Sequence, residues 1–246
     1  MSVLKGAHKL LRLFIADHKH HYHHLNSPIS PLKHIPYQNF YASQKFDSKL
    51  CWKCGLERRN PCEVFCEECK TIQSPHETKN YFKIFNLEEK FDIDVKSLQS
   101  KYRMLQGRLH PDKFSNKSEQ EKHISETYSS LVNKAYKSLQ APLRRAQHLL
   151  ELHGDGIDEE QKVDDPEFLM EMMELNEELE NCTDADKLRK LDIKNKNQLE
   201  MLAKSIDECF KENNLNKAKN LVIKMKYYSS LGNRINSQLR DLGIVD

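Results

Sequence analysis

The sequence predicts an all-α protein: a helical hairpin followed by a C-terminal three-helix bundle, with a small cysteine-rich knuckle ahead of both. Three observations carry this. Apolar residues recur at three- and four-residue steps from about residue 79 to residue 240, the pattern of helices with one buried face. Strand-like alternation of useful length is missing, and Gly (7) and Pro (8) are scarce in 246 residues, against roughly 7% and 5% in an average chain. Five of the seven Cys fall between Cys51 and Cys69, a cluster that favours a metal site over a spread disulfide framework.

Net charge is only +2, but it is +5 over residues 1–46, +5 over 47–150 and −8 over 151–246. The segments therefore carry different electrostatic tasks. Residues 1–46 open with MSVLKGAHKLLRLFIA, which has Lys5, Lys9 and Arg12, no acid before Asp17, and Leu4, Leu11 and Ile15 on one helical face. A basic, acid-poor, amphipathic N-terminus is the composition of a mitochondrial import presequence; an ordinary unstructured tail is the alternative. His18, His20, His21, His23 and His24 read as part of a His-rich spacer and not as a metal site. The longest apolar run, Leu10 to Ala16, is broken by Arg12 and is far short of the ~18 residues a membrane helix needs, so no membrane is expected as a partner.

Residues 47–74 form the knuckle. In CWKCGLERRNPCEVFCEEC, Cys51-x-x-Cys54 and Cys66-x-x-Cys69 are separated by eleven residues. Two such pairs offer four thiolates to one tetrahedral zinc ion, and four protein ligands leave no open position, so the site is structural. Gly55 permits the tight turn after the first pair. A knuckle this small has almost no core, and metal binding must supply its order. Cys62 falls outside the pattern as a free thiol. A redox CxxC is the rival reading, weakened by the doubled motif and the absent βαβ pattern. A nucleic-acid ribbon using Arg58 and Arg59 is disfavoured because residues 47–78 hold five bases against six acids. No organic cofactor is expected.

From residue 79 the helices follow in order. A short one carries Tyr81, Phe82, Ile84, Phe85 and Leu87. Leu98, Tyr102, Leu105 and Leu109 mark a second, and Ile124, Tyr128, Leu131, Ala135 and Leu139 a third. HPDKFSNKSEQ lies between those two, with Pro111 at the break and Ser115, Asn116 and Ser118 as candidate caps. Pro142 starts a further helix that Gly154 ends. Past an acidic turn at 155–165, helices are expected over about 166–180, 185–212 and 215–240, three amphipathic segments with short joins.

His110-Pro111-Asp112 thus joins two antiparallel helices. Pro111 restricts its own φ and disfavours helix at His110, which makes a stiff loop. Lys96, Lys101, Arg103, Arg108 and Lys113 surround it with positive charge, and residues 79–150 carry fourteen Lys/Arg against eight acids. This arrangement, after YRMLQGRL, resembles the J-domain of DnaJ-type co-chaperones. The block YFKIFNLEEKFDIDVKSLQSKYRMLQGRLHPDKF, with PLRRAQHLLELHG and DPEFLMEMMELNEELE, resembles more narrowly the HscB-type J-proteins of iron–sulfur cluster assembly, over residues 79–240. The two CxxC pairs and basic N-terminus are similar to the animal mitochondrial form. The resemblance implies a J-domain at 79–150 and a scaffold-binding domain at 160–246. It implies that His110, Pro111 and Asp112, with the basic face, contact a mitochondrial 70-kilodalton heat-shock chaperone and stimulate its ATPase, the chain itself being no enzyme. The implied location is the mitochondrial matrix, with a cytosolic pool of unprocessed chain as the alternative.

The helix over 166–180 supports a second surface independently. At 100° per residue, Phe168, Met172, Leu175 and Leu179 share a core direction. Met170, Met173, Glu174 and Glu177 cluster opposite, flanked by Leu169. Flexible thioethers facing away from a core suit adaptable protein contacts. Residues 151–180 hold thirteen acids and one base, a field that favours a basic partner. In the family that the chain resembles, the corresponding face binds the cluster-assembly scaffold, which implies scaffold binding by Leu169, Met170, Met173, Glu174 and Glu177, with Tyr227 as an aromatic contact; by period, Tyr228 is the better core candidate. Recipient iron–sulfur proteins are further implied partners, and nucleic acid is not. A generic J-protein for protein folding is the main alternative; it would keep the loop but not the Met/Glu face.

Overall fold

Most helices start on Asn, Asp or Ser side-chain caps. The computed structural model describes residues 49–60, 63–157 and 163–243; the targeting segment, the His-rich stretch and Cys62 lie outside them. Among the described residues seven α-helices follow in order: α1 Tyr81–Ile84, α2 Val95–Leu109, α3 Glu119–Gln140, α4 Pro142–Leu152, α5 Pro166–Glu180, α6 Ala185–Lys211 and α7 Leu215–Asp241. A 3₁₀ turn, Pro111–Phe114, separates α2 from α3. Asn80, Asp94, Asp165, Asp184 and Asn214 each accept backbone N–H groups at the following helix start. Ser118 and Glu121 close a reciprocal capping box on α3, which satisfies two otherwise orphaned donors. Among the described helices only α4 lacks a side-chain cap, and Pro142 opens it with a fixed φ.

Two apolar cores result. The first joins Phe82 of α1 and Leu98, Leu109, Val132 and Leu139 of the α2–α3 hairpin to Val64 and Ile72 of the knuckle, and also to Ile206, Ala218, Val222 and Met225 from the α6–α7 end. The second joins Phe168, Leu175 and Leu179 of α5 to Leu188 and Leu191 of α6 and to Tyr228, Leu231 and Ile235 of α7. The hairpin and the C-terminal helices therefore share a core and are not beads on a linker. Buried Arg145 reinforces that junction: its Nη1 donates to Leu139 O at 2.6 Å and its guanidinium lies 5.0 Å from the Phe91 ring centre. Phe91 in turn stacks on Phe210 of α6 at 6.1 Å, and Lys219 pairs with Asp155 at 2.9 Å.

Candidate functional site: an exposed loop, a thiolate cluster and a methionine face

The HPD loop is held from both ends. Leu109 before it and Phe114 after it are buried, so the four residues between them, His110 to Lys113, stand out. Ser125 of α3 donates its hydroxyl to Leu109 O at 2.7 Å, which ties the end of α2 to α3. His110 caps the 3₁₀ turn: Asp112 N donates to its Nδ1 at 3.4 Å. The side chains of His110 and Asp112 are 57% and 88% exposed, so the constrained backbone presents them to solvent.

The five predicted cations differ in freedom. Lys101 donates to Asn86 O at 2.7 Å and Lys113 to Gly107 O; both are pinned, and neither has an ion-pair partner among the described residues. Lys96 and Arg103 are exposed with no ion-pair partner among the described residues. Arg108 sits over the Phe65 ring, 5.1 Å from its centre, and its Nη2 is 3.9 Å from a Glu63 carboxylate oxygen. Exposed Met104 lies on the same helix. The sequence shows no sign of Phe65, Glu63 or Met104 at this surface, because the first two are far from α2 in the chain and a lone Met carries no signal.

The knuckle is an internal repeat with a spacing of fifteen residues. Cys51 N donates to Leu56 O as Cys66 N does to Thr71 O, each at 2.9 Å. Gly55 N donates to Cys51 O as Lys70 N does to Cys66 O, and the backbone bridges Leu50–Glu57 and Phe65–Ile72 close the two loops. Gly55 has φ +73° and Lys70, at the matching position, φ +58°. The first loop thus uses the residue suited to that conformation, whereas the second places a Lys there, at a cost.

All four Sγ atoms lie within 4.8 Å of one another, with Cys51–Cys69 at 3.6 Å and Cys54–Cys66 at 3.8 Å. A tetrahedral ion with Zn–S bonds of about 2.3 Å separates its sulfurs by about 3.8 Å, so the cluster fits one metal ion. Its surroundings favour thiolate at Cys51 and Cys69, whereas Cys54, despite a backbone hydrogen bond at Leu56, is pushed up to about 12 by burial and the three neighbouring thiols. Gln73 Nε2 donates to Cys51 Sγ at 3.3 Å, and the amides of Lys53 and Cys54 do so at 3.4 and 3.5 Å. Burial pushes the Cys51 thiol up, but the amide donors outweigh it and the net shift is downward. Hydrogen bonding from Thr71 lowers Cys69 to about 6.

Three links fix the rotation of α5 on α7. Lys224 Nζ pairs with Asp165 at 2.6 Å and holds that carboxyl below the usual carboxylate range. Tyr228 donates its hydroxyl to Glu171 at 2.9 Å. Arg234 donates to Asn176 Oδ1 and, at 3.1 Å, to Glu180. With Phe168, Met172, Leu175 and Leu179 buried, Met170 (62%) and Met173 (39%) remain exposed, as do Glu174 and Glu177. Leu169 is half-buried at the edge of the second core. Tyr228 is buried, and Tyr227 packs edge-on to Phe168 at 5.6 Å, bringing it beside the α5 surface. The face is apolar at its centre and anionic at its flanks.

Comparison with known proteins bears on this constellation. A family model described as the HSCB C-terminal oligomerisation domain matches residues 164–236. The mouse protein "Iron-sulfur cluster co-chaperone protein HscB" is 39% identical over 198 residues, 79% of this chain and 84% of its own length. Its human counterpart is 36% identical over 188 residues, 75% of this chain and 80% of its own. The crystal structure of human co-chaperone protein HscB superposes with a TM-score of 0.71 at 34% identity, over 77% of this chain and 98% of that one.

Proposed function

The chain belongs to the HscB family of iron–sulfur cluster co-chaperones, and from that premise we propose that it is a two-ended adaptor. It is a co-chaperone and not an enzyme. Its HPD loop engages the ATPase domain of a mitochondrial 70-kilodalton heat-shock chaperone and stimulates hydrolysis there. Lys96, Lys101, Arg103, Arg108 and Lys113 steer the encounter with an acidic patch, since complementary charge raises association rate more than it adds affinity. The α5 face, with Leu169, Met170, Met173, Glu174, Glu177 and Tyr227, grips the scaffold that carries the nascent cluster, and transfer to recipient proteins follows. Joining both sites in one body makes the second encounter intramolecular. The knuckle metal is zinc in a structural role, held by Cys51, Cys54, Cys66 and Cys69. The basic N-terminus supports a mitochondrial matrix location.

One observation carries the reading: His110 and Asp112 are exposed on a short loop held between buried Leu109 and Phe114. The test is steady-state ATPase turnover of the chaperone with and without scaffold. The parent chain accelerates turnover, and His110→Gln abolishes that acceleration while scaffold pull-down persists. Full stimulation by His110→Gln overturns the assignment.

A further inference from the structure

The knuckle is tied to the helix that ends at the HPD loop: Arg108 rests on Phe65 and faces Glu63. Phe65 directly precedes the ligand Cys66 and is held by its backbone bridge to Ile72. No described knuckle residue is helical, so the position of Phe65 depends on the metal that orders its loop. The Arg108 side chain is still 39% exposed, and a partner can reach it.

We propose that Phe65 and Glu63 are positioning residues: with metal bound, they hold the Arg108 guanidinium in one orientation beside His110-Pro111-Asp112, so that the metal state of the knuckle sets how well the loop engages the chaperone. This rests on the chaperone reading above. The physical basis is preorganisation. A freely rotating arginine must be ordered at each encounter, whereas one already seated on an aromatic ring loses little on docking. Glu63 at 3.9 Å orients the group without closing a tight pair. Linkage makes the effect reciprocal: if bound metal favours the seated Arg108, seated Arg108 favours bound metal by the same factor.

That reciprocity separates the inference from the chaperone reading. In the full chain, with zinc alone as probe, Arg108→Ala weakens zinc retention against a competing chelator by roughly two- to fivefold, the range of an exposed cation–π contact. Arg108→Lys, which keeps a cation over the ring, recovers part of the loss. The fluorescence of Trp52, the single tryptophan, follows the knuckle because its Nε1 donates to Ile72 O at 2.6 Å. In the second arm, Phe65→Ala and Glu63→Gln, each verified at one zinc per chain, raise the concentration needed for half-maximal chaperone stimulation by a similar factor. Phe65→Trp retains the parent value, and in an Arg108→Ala background Phe65→Ala adds nothing. Equal zinc retention by Arg108→Ala and parent, or additive effects of Phe65→Ala and Arg108→Ala, overturns the proposal. A parent chain that leaves the chaperone idle defeats the chaperone reading instead, and the zinc arm still decides whether Arg108 and the metal are coupled.

Discussion

At the scale of single residues, exposure and constraint coincide where contact is proposed. His110 and Asp112 project from a backbone fixed by Pro111, Leu109 and Phe114. Met170 and Met173 project from a helix whose rotation is set by Asp165, Glu171 and Asn176. Met170→Ser combined with Met173→Ser is expected to cost at least tenfold in scaffold affinity by titration, about 1.4 kcal/mol. Because both residues are exposed, thermal stability should stay within about 0.5 kcal/mol of the parent, and chaperone stimulation without scaffold should be unchanged. Scaffold affinity equal to the parent's would remove the α5 face from the assignment.

Single elements are positioned by contacts that helical periodicity does not reveal. Helix α4 is anchored to α1 by His148, whose Nε2 accepts the Tyr81 N–H at 3.1 Å and whose ring stacks on that of Tyr81 at 4.2 Å. Accepting that bond requires neutral imidazole. Burial lowers the His148 pKa more than the Glu151 carboxylate raises it. The unfolded chain, with an ordinary histidine near 6.5, therefore binds the proton more readily than the folded one. The contribution of His148 to stability is complete above about pH 6.5 and is lost as pH falls through the lowered folded value. Urea unfolding at mildly acidic pH should show the drop, and His148→Gln should flatten it. Between α6 and α7 the controlling position is Gly232. A methyl group there would sit 2.8 Å from Asn195 Nδ2, and Asn195 is buried. In Gly232→Ala, overpacking costs about 1–3 kcal/mol against a ~1 kcal/mol helix-propensity gain, for an expected net loss of up to about 2 kcal/mol. Asn195→Ala in the same chain should restore much of the loss, measured by chemical denaturation.

At the scale of the whole molecule, one core runs from the knuckle through the hairpin to the α6–α7 end. Val64 and Ile72 contribute to that core, so the knuckle is part of the domain it precedes in sequence. Stripping the metal with a chelator should leave the far-ultraviolet helical signal nearly intact, since no described knuckle residue is helical. It should change Trp52 fluorescence and lower the melting temperature, and zinc should reverse both. A collapse of helical signal on chelation would mean that the hairpin cannot fold without its knuckle.

Much of this was legible in the chain alone because the signals are local. Helix periods, the Ser118 cap, the CxxC spacing and the Pro111 break each depend on residues within a few positions of one another. The same locality identified the core side of α5 through Phe168, Met172, Leu175 and Leu179. Other features needed the folded molecule. Arg108 and Phe65 are 43 positions apart and Lys224 and Asp165 are 59 apart, and only packing decides such pairs. Lys70 in a left-handed turn carries no compositional mark, and Gly232 reads as a weak helix residue until Asn195 is seen against it. Sequence by itself determined the elements, the thiolate set and the loop; tertiary structure decided which faces stay exposed and which cations keep their charge free, because burial is a property of neighbours distant along the chain.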